Sequence, residues 1–326
     1  MYIVTGGAGF IGSAMVWKLN RLGVTDILVV DELGRDEKWK NLVNLKYEDY
    51  LHKDQFYKML LKGEDPFATD AVIHMGANSS TTEPDADHLM ENNYRYTQML
   101  CRFVLQHGVR FINASSAATY GDGSLGFSDD EAGLERLRPL NMYGYSKQLF
   151  DLWALRAGVL GRIVSLKFFN VFGPNEYHKG DMMSVVCKAH KQIKDTGRMR
   201  LFKSYRPEYP DGGQQRDFVW VKDCVDLMAW LLEHPEVNGV FNVGTGRART
   251  WNDLAKAVFA ALGKAPAIDY TEMPETLRAK YQYFTQADMD KLRAAGYTAP
   301  FTPLEEAAAE YVQGYLEQDD PHLKAE

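Results

Sequence analysis

Tyr143 and Lys147 stand four residues apart in Tyr143-Gly-Tyr-Ser-Lys147. On a helix that spacing puts a phenol and an ammonium on one face, a turn apart. A neighbouring ammonium favours the phenolate, so the Tyr143 pKa is expected to fall from about 10 toward the working pH. A tyrosinate can take an alcohol proton while hydride leaves the carbon, provided something nearby accepts hydride. On its own the pair also suits a solvated helix face. The start of the chain, Val4-Thr5-Gly6-Gly7-Ala8-Gly9-Phe10-Ile11-Gly12, decides between the two readings.

Gly6, Gly9 and Gly12 satisfy Gly-x-x-Gly-x-x-Gly, and Gly7, Gly9 and Gly12 satisfy Gly-x-Gly-x-x-Gly. A short apolar strand, Tyr2–Thr5, precedes them, and helical spacing over Ser13–Leu22 follows. Glycines there let the backbone turn tightly against a pyrophosphate, while the helix start offers N–H donors. Asp31 ends the next strand about twenty residues on, which completes a dinucleotide fingerprint. Asp31 suits the ribose hydroxyls of NAD. Arg35, Lys38, Lys40 and Lys53 could instead offset the 2′-phosphate of NADP, so the residues alone leave NAD and NADP open. His74-Met75-Gly76-Ala77 closes a further strand with small residues that suit backbone passing beside the cofactor, His74 itself reading as structural. There is no HExxH and no carboxylate–histidine cluster, so no catalytic metal is expected.

The elements needed to hold these groups alternate through the first half. Ile27–Asp31, Ala71–Met75, Arg110–Ala114 and Ile163–Phe168 read as buried strands, and Asn92–His107 and Lys147–Ala157 as helices. Apolar strands alternating with helices predict an α/β doubly wound parallel sheet of Rossmann type. In the second half, Phe218–Val221 and Val240–Val243 read as strands, Trp251–Leu262 and Leu304–Leu316 as helices, and Ser204–Gln215 as a loop. We expect a dinucleotide-binding domain over 1–170, joined by 214–240, and a smaller, discontinuous α+β substrate domain mainly from 171–213 and 241–326. A formal charge of −7 with no basic stripe argues against nucleic acid and anionic membranes as partners. Cys101, Cys187 and Cys224 are too scattered for a metal site or a disulfide framework. A strand at Tyr2 and no long apolar run point to the cytoplasm.

Ser115-Ser116, at the end of the Arg110–Ala114 strand, could hydrogen-bond the reacting alcohol. Together with Tyr143, Lys147 and the glycine loop, this set resembles the extended short-chain dehydrogenase/reductases that act on nucleotide-linked sugars. Phe169–Pro174, Arg216–Val221 and Phe241–Gly246 match that family along most of the chain. Ser79–Glu83, Ser115–Gly121, His178-Lys179-Gly180 and Tyr281–Asp288 are similar, more narrowly, to the family of ADP-L-glycero-D-manno-heptose 6-epimerases.

The resemblance implies roles. Phe10 and Ile11 would line the pyrophosphate, and Asp31, Glu32, Lys38 and Lys53 the adenosine end. Met75, Gly76, Ala77, Asn78, Ser79, Asn92, Val171 and Lys179 would complete the cofactor pocket. Lys147 would bind the nicotinamide ribose, and Asn170, Asp181, Lys188, Phe202, Lys203, Ser204, Tyr205, Arg216 and Tyr281 would face the nucleotide-sugar. It further implies NADP and a homo-oligomer, commonly a pentamer. Glu32 departs from the family's neutral residue and adds charge beside any 2′-phosphate; Lys188 replaces a histidine, and the loop 205–215 is longer.

Inverting an unactivated carbinol carbon by proton removal is hard, because nothing adjacent stabilises the carbanion. Removing hydride, turning the resulting ketone and returning hydride to its other face avoids that. Two acid/base groups are then useful, and the resemblance nominates Tyr143 and Lys179, with Ser116 steadying the oxygen near Tyr143. A 4,6-dehydratase of the same superfamily needs an Asp-Glu pair where Ala117-Ala118 stands. A 4-epimerase on another nucleotide-sugar shares nearly all the generic motifs, and a cofactor-sensing regulator would need neither Tyr143 nor Lys147.

Overall fold

The computed structural model describes residues 1–63, 65, 67–278 and 281–326. Seven parallel strands form the main sheet: β1 (Tyr2–Thr5), β2 (Ile27–Asp31), β3 (Asp49–His52), β4 (Ala71–His74), β5 (Arg110–Ser116), β6 (Val164–Phe168) and β10 (Gly239–Val243). Three strands lie between β6 and β10 in the chain: β7 (Asn170–Phe172), β8 (Met199–Phe202) and β9 (Gln215–Trp220). The sheet order is β10-β6-β5-β4-β1-β2-β3. Every residue of β2, β4, β6 and β10 is buried, as strands covered by helices on both faces require. The order reverses between β1 and β4, which pair Tyr2↔Ala71 through Thr5↔His74. Ligands of such sheets bind in the crevice beyond the carboxyl ends of the strands at this reversal.

The strands read from the sequence are all present, with ends shifted by up to three residues. The helix carrying Lys147 starts earlier than its apolar spacing suggests, at Met142, because Asn141 caps it by accepting the Gly144 N–H at 2.8 Å. Tyr143 and Lys147 therefore share one helix, Met142–Arg156.

A second core gathers Phe172, Val186, Ile193, Trp220, Val258 and Tyr311. It is built on β9 with β7 parallel to it and β11 (Ala248–Thr250) antiparallel, and on the pair β8 and β12 (Ile268–Thr271). The chain returns to the main sheet through the helix Val221–Glu233 and β10, and Ala287, Met289, Leu292 and Tyr297 pack into the first core. The register Asn170↔Phe218 and Val171↔Val219 carries the end of β6 straight into the second unit. The cleft between the glycine loop and the second core is where the chemistry-bearing residues collect. Among the described residues, no helix is long and apolar enough to cross a membrane.

Candidate active site

The cleft floor is made by glycine. Gly6 has φ +65°, and a Cβ there would lie 2.5 Å from the backbone nitrogen of Gly76. A Cβ on Gly12 would overlap the Gly6 carbonyl oxygen. Only hydrogen fits at either place, so β1, β4 and the helix Phe10–Arg21 close up at the reversal of strand order. That helix begins at Gly9 with no side-chain cap, leaving its first N–H groups turned toward the cleft. The floor thus offers the backbone donors that a pyrophosphate needs.

Two cavities, of about 370 and 630 Å³, share Gly6, Asp31, Lys38, Gly76, Ala77 and Asn78 and so form one trough. The smaller adds Glu32, Lys53 and Asn92, and the larger Gly9, Phe10, Ile11, Gly12, Met75, Ser79, Ser116, Tyr143, Lys147, Asn170, Val171 and Lys179. The residues that the resemblance nominates for the cofactor line this trough, whereas Gly7, Arg35 and Lys40 do not. The trough's glycine floor and its donors fit a dinucleotide.

At the outer end, Asp31 is already engaged. Its Oδ2 accepts the Ala8 N–H at 2.9 Å, and its Oδ1 accepts the Glu32 N–H at 2.7 Å and the Lys38 ammonium at 3.0 Å. Lys53 Nζ lies 2.6 Å from Glu32 Oε2 and donates to Asn92 Oδ1 at 3.0 Å. The bond from Lys53 holds the Glu32 carboxyl below its usual range. Buried Asn93 fixes the Asn78 loop, accepting the Asn78 N–H and donating to its carbonyl, both at 2.8 Å, and it donates to Ser146 Oγ at 3.1 Å.

At the inner end the structure corrects one expectation. Burial raises the Tyr143 pKa above its ordinary value, and the Ser116 hydroxyl pulls it partway back. Lys147 makes no hydrogen bond to the phenol. Its Nζ donates to the Ala114 carbonyl at 2.7 Å, and burial brings its pKa down to about 8, with Asp151 opposing. Desolvation by the surrounding protein, which spacing along a helix does not register, works against the phenolate here. Lys179 enters from the 3₁₀ turn Tyr177–Met182 and sits 5.4 Å from the centre of the Phe10 ring. Burial lowers its pKa, and Glu176 counteracts.

The residues nominated for substrate divide. Asn170 lines the cavity, whereas Lys188 donates to the Asp181 carbonyl at 2.5 Å and Lys203 pairs with Glu272 at 2.7 Å. Arg216 is buried between Trp251 and Tyr281, its guanidinium 5.7 and 5.2 Å from their rings. Tyr281 accepts the Trp251 indole N–H at 3.0 Å. Phe202 meets Tyr281 edge-on at 6.5 Å, Ser204 donates to the Arg206 carbonyl at 2.9 Å, and Tyr205 bonds Glu272 while stacking under Arg278. Apart from Asn170 these groups do not line the trough, and Arg216 and Tyr281 meet it only through Trp251. Sequence reasoning missed Trp251, which lines the trough beside Phe218 and Leu254. As the first residue of an apolar helix it carries no local sign of facing a cleft. It also missed His178, which lines the trough next to Lys179; Asn41 Nδ2 lies 3.3 Å from its Nδ1.

Comparison with known proteins agrees with this architecture. Residues 2–244 match the model of the NAD dependent epimerase/dehydratase family. The ADP-L-glycero-D-manno-heptose-6-epimerase of Nitratidesulfovibrio vulgaris (strain DP4) is 67% identical over 323 residues, covering 99% of this chain and 100% of that protein. Its namesake from Fusobacterium nucleatum is 48% identical over 332 residues, covering 99% and 100%. The crystal structure of the Helicobacter pylori ADP-L-glycero-D-manno-heptose-6-epimerase superposes with a TM-score of 0.77 at 24% identity, covering 96% of this chain and 95% of that one, and supports the fold. The chain belongs to the NAD dependent epimerase/dehydratase family and, within it, groups with the ADP-L-glycero-D-manno-heptose-6-epimerases.

Proposed function

We propose that this protein inverts C6 of ADP-D-glycero-D-manno-heptose to give ADP-L-glycero-D-manno-heptose, with no net redox change. The relatives' names support the sugar. The observation that carries the chemistry is that Tyr143, Ser116 and Lys147 share one cavity with Lys179, which comes from a different segment and lies over Phe10. When bound, a nicotinamide supplies the hydride acceptor and donor at C6. The protein's own groups manage the proton. In one orientation of the sugar, Tyr143, as its phenolate, takes the C6 hydroxyl proton while Ser116 holds the oxygen; the Lys147 ammonium and the positive ring of an oxidised nicotinamide are the charges that would oppose burial and favour that phenolate. In the other, Lys179 serves the oxygen from its own side. Burial keeps Lys179 closer to neutral pH than a surface lysine, which suits proton exchange. The planar fork of Arg216 suits the diphosphate, steadied by Trp251 and Tyr281.

For the cofactor we favour NADP. Asp31 has spent its oxygens on Ala8, Glu32 and Lys38, while Lys38 and Lys53 both reach the outer cavity and can meet a 2′-phosphate. The division into a cofactor domain and a smaller domain belongs to the same reading, with the return segment moved from 214–240 to the helix Val221–Glu233 and β10, because β9 packs in the second core. Exposed Trp39 and Val43 beside a shallow apolar hollow support a homo-oligomer. Three free, buried thiols suit a reducing cytoplasm. The test is incubation with ADP-D-glycero-D-manno-heptose in deuterated water. Inversion with no deuterium on carbon supports internal hydride return; deuterium at C5 or C6 refutes it.

A further inference from the structure

Beneath the inner end of the cleft lies a second charged cluster that the proposed reaction does not use. Asp151 and Lys167 are fully buried and 2.8 Å apart. Asp151 sits one turn beyond Lys147 on the helix Met142–Arg156, so the two share a face. It also accepts the hydroxyls of Ser115 on β5 and Ser165 on β6, each at 2.7 Å. Lys167 donates to Thr119 Oγ1 at 2.7 Å, and Thr119 in turn donates to the Ser116 carbonyl at 2.8 Å. The pair therefore ties together the helix holding Tyr143 and Lys147, the strand end holding Ser116, and the neighbouring β6. An apolar pair of the same volume would fill this space without the cost of desolvating two charges, so packing alone does not account for it.

We propose that Asp151 and Lys167 are positioning residues that set the location and the charge of the Lys147 ammonium, Asp151 holding the charge on and Lys167 moderating that pull. The Ala114 carbonyl, to which Lys147 donates, is on the same strand end that Ser115 ties to Asp151. Asp151 is the group that opposes the effect of burial on Lys147. The other titratable groups around the cluster are His74 on β4, kept neutral by burial, Tyr143 on the helix itself, and Tyr120, whose ring lies 5.2 Å from Lys167 Nζ.

This rests on a protonated Lys147 holding the nicotinamide ribose beside Tyr143 in the proposed reaction, and it makes predictions of opposite sign. Asp151→Asn should move the alkaline limb of the kcat/KM–pH profile down by about one pH unit, and Lys167→Met should move it up. Lys167→Arg, which keeps the charge, should restore the wild-type limb. The double variant Asp151→Asn/Lys167→Met buries no lone charge, which keeps the test open if a single variant does not fold; its limb should fall between those of the two singles or, lacking one, near the wild-type value. The pH dependence of NADP binding, followed by tryptophan fluorescence, should show the same ordering. Lower activity at every pH with unmoved limbs would leave the cluster a packing feature and overturn the proposal. Absence of epimerisation and of NADP binding in the wild type would instead refute the functional reading.

Discussion

Replacing Gly6 with alanine tests the geometry on which the cofactor trough depends. Gly6 has φ +65°, a left-handed conformation that costs a residue with a Cβ roughly 1–2 kcal/mol. The new Cβ would also sit 2.5 Å from the Gly76 nitrogen and 2.7 Å from its Cα, both backbone atoms that no rotamer change can move. Overpacking of this kind costs about 1–3 kcal/mol. The sum, about 2–5 kcal/mol, corresponds for a chain of 326 residues to roughly 3–7 °C in the melting temperature. Gly23→Ala is the matched control. Gly23 has φ +83°, but a Cβ there would meet no atom within 4 Å, so only the conformational term, about 1–2 kcal/mol, should appear. In calorimetry, Gly6→Ala should melt below Gly23→Ala. In fluorescence titration it should lose more than about tenfold in dinucleotide affinity while the control keeps its own, because relief of the clash must spread β1 from β4 beneath the trough. Equal melting temperatures and equal affinities would refute the reasoning.

Two further outcomes can be checked directly. Tyr143→Phe should lower kcat by a factor on the order of 10²–10⁴ with little change in melting temperature, and near-normal turnover would remove Tyr143 from the reaction. His74 is buried between Thr5 and Thr97, 2.5 and 2.8 Å from their hydroxyls, and burial lowers its pKa from about 6.5 to about 3. The unfolded chain then binds a proton below pH 6.5 that the folded chain refuses, so stability falls as pH drops from 6.5 toward 3, by about 1.4 kcal/mol per unit. In urea titrations, His74→Gln should lose about 2 kcal/mol less than wild type between pH 7 and pH 5; parallel losses would rule His74 out as the acid-sensitive group.

Much of this molecule was legible along the chain because the signals are local. Glycine spacing, a carboxylate at the end of the second strand, and phenol and ammonium a helical turn apart each depend on a few consecutive dihedrals. Fully buried strands announce themselves as apolar runs. Elements that are half exposed do not: β3, Asp49–His52, has no such run, and the helix Val185–Thr196 buries only Val186, Cys187, Ala189 and Ile193 among lysines. The apolar run Phe218-Val-Trp-Val221 hides a junction where a strand ends at Trp220 and a helix begins at Val221.

The sequence by itself determined the doubly wound sheet and its glycine floor, and it nominated Tyr143, with Lys179 by resemblance, to move a proton. Tertiary structure alone decided that Lys179 faces the same cavity as Tyr143 across thirty-odd residues of chain, that Arg216 is clasped by Trp251 and Tyr281, and that Asp151 meets Lys167 under the site. It also sets Tyr143 where burial weighs against its phenolate. The reason is common to all of these. Burial and distance between segments far apart in the chain fix the local dielectric and the neighbours of a charge, and neither quantity is written in the spacing of residues.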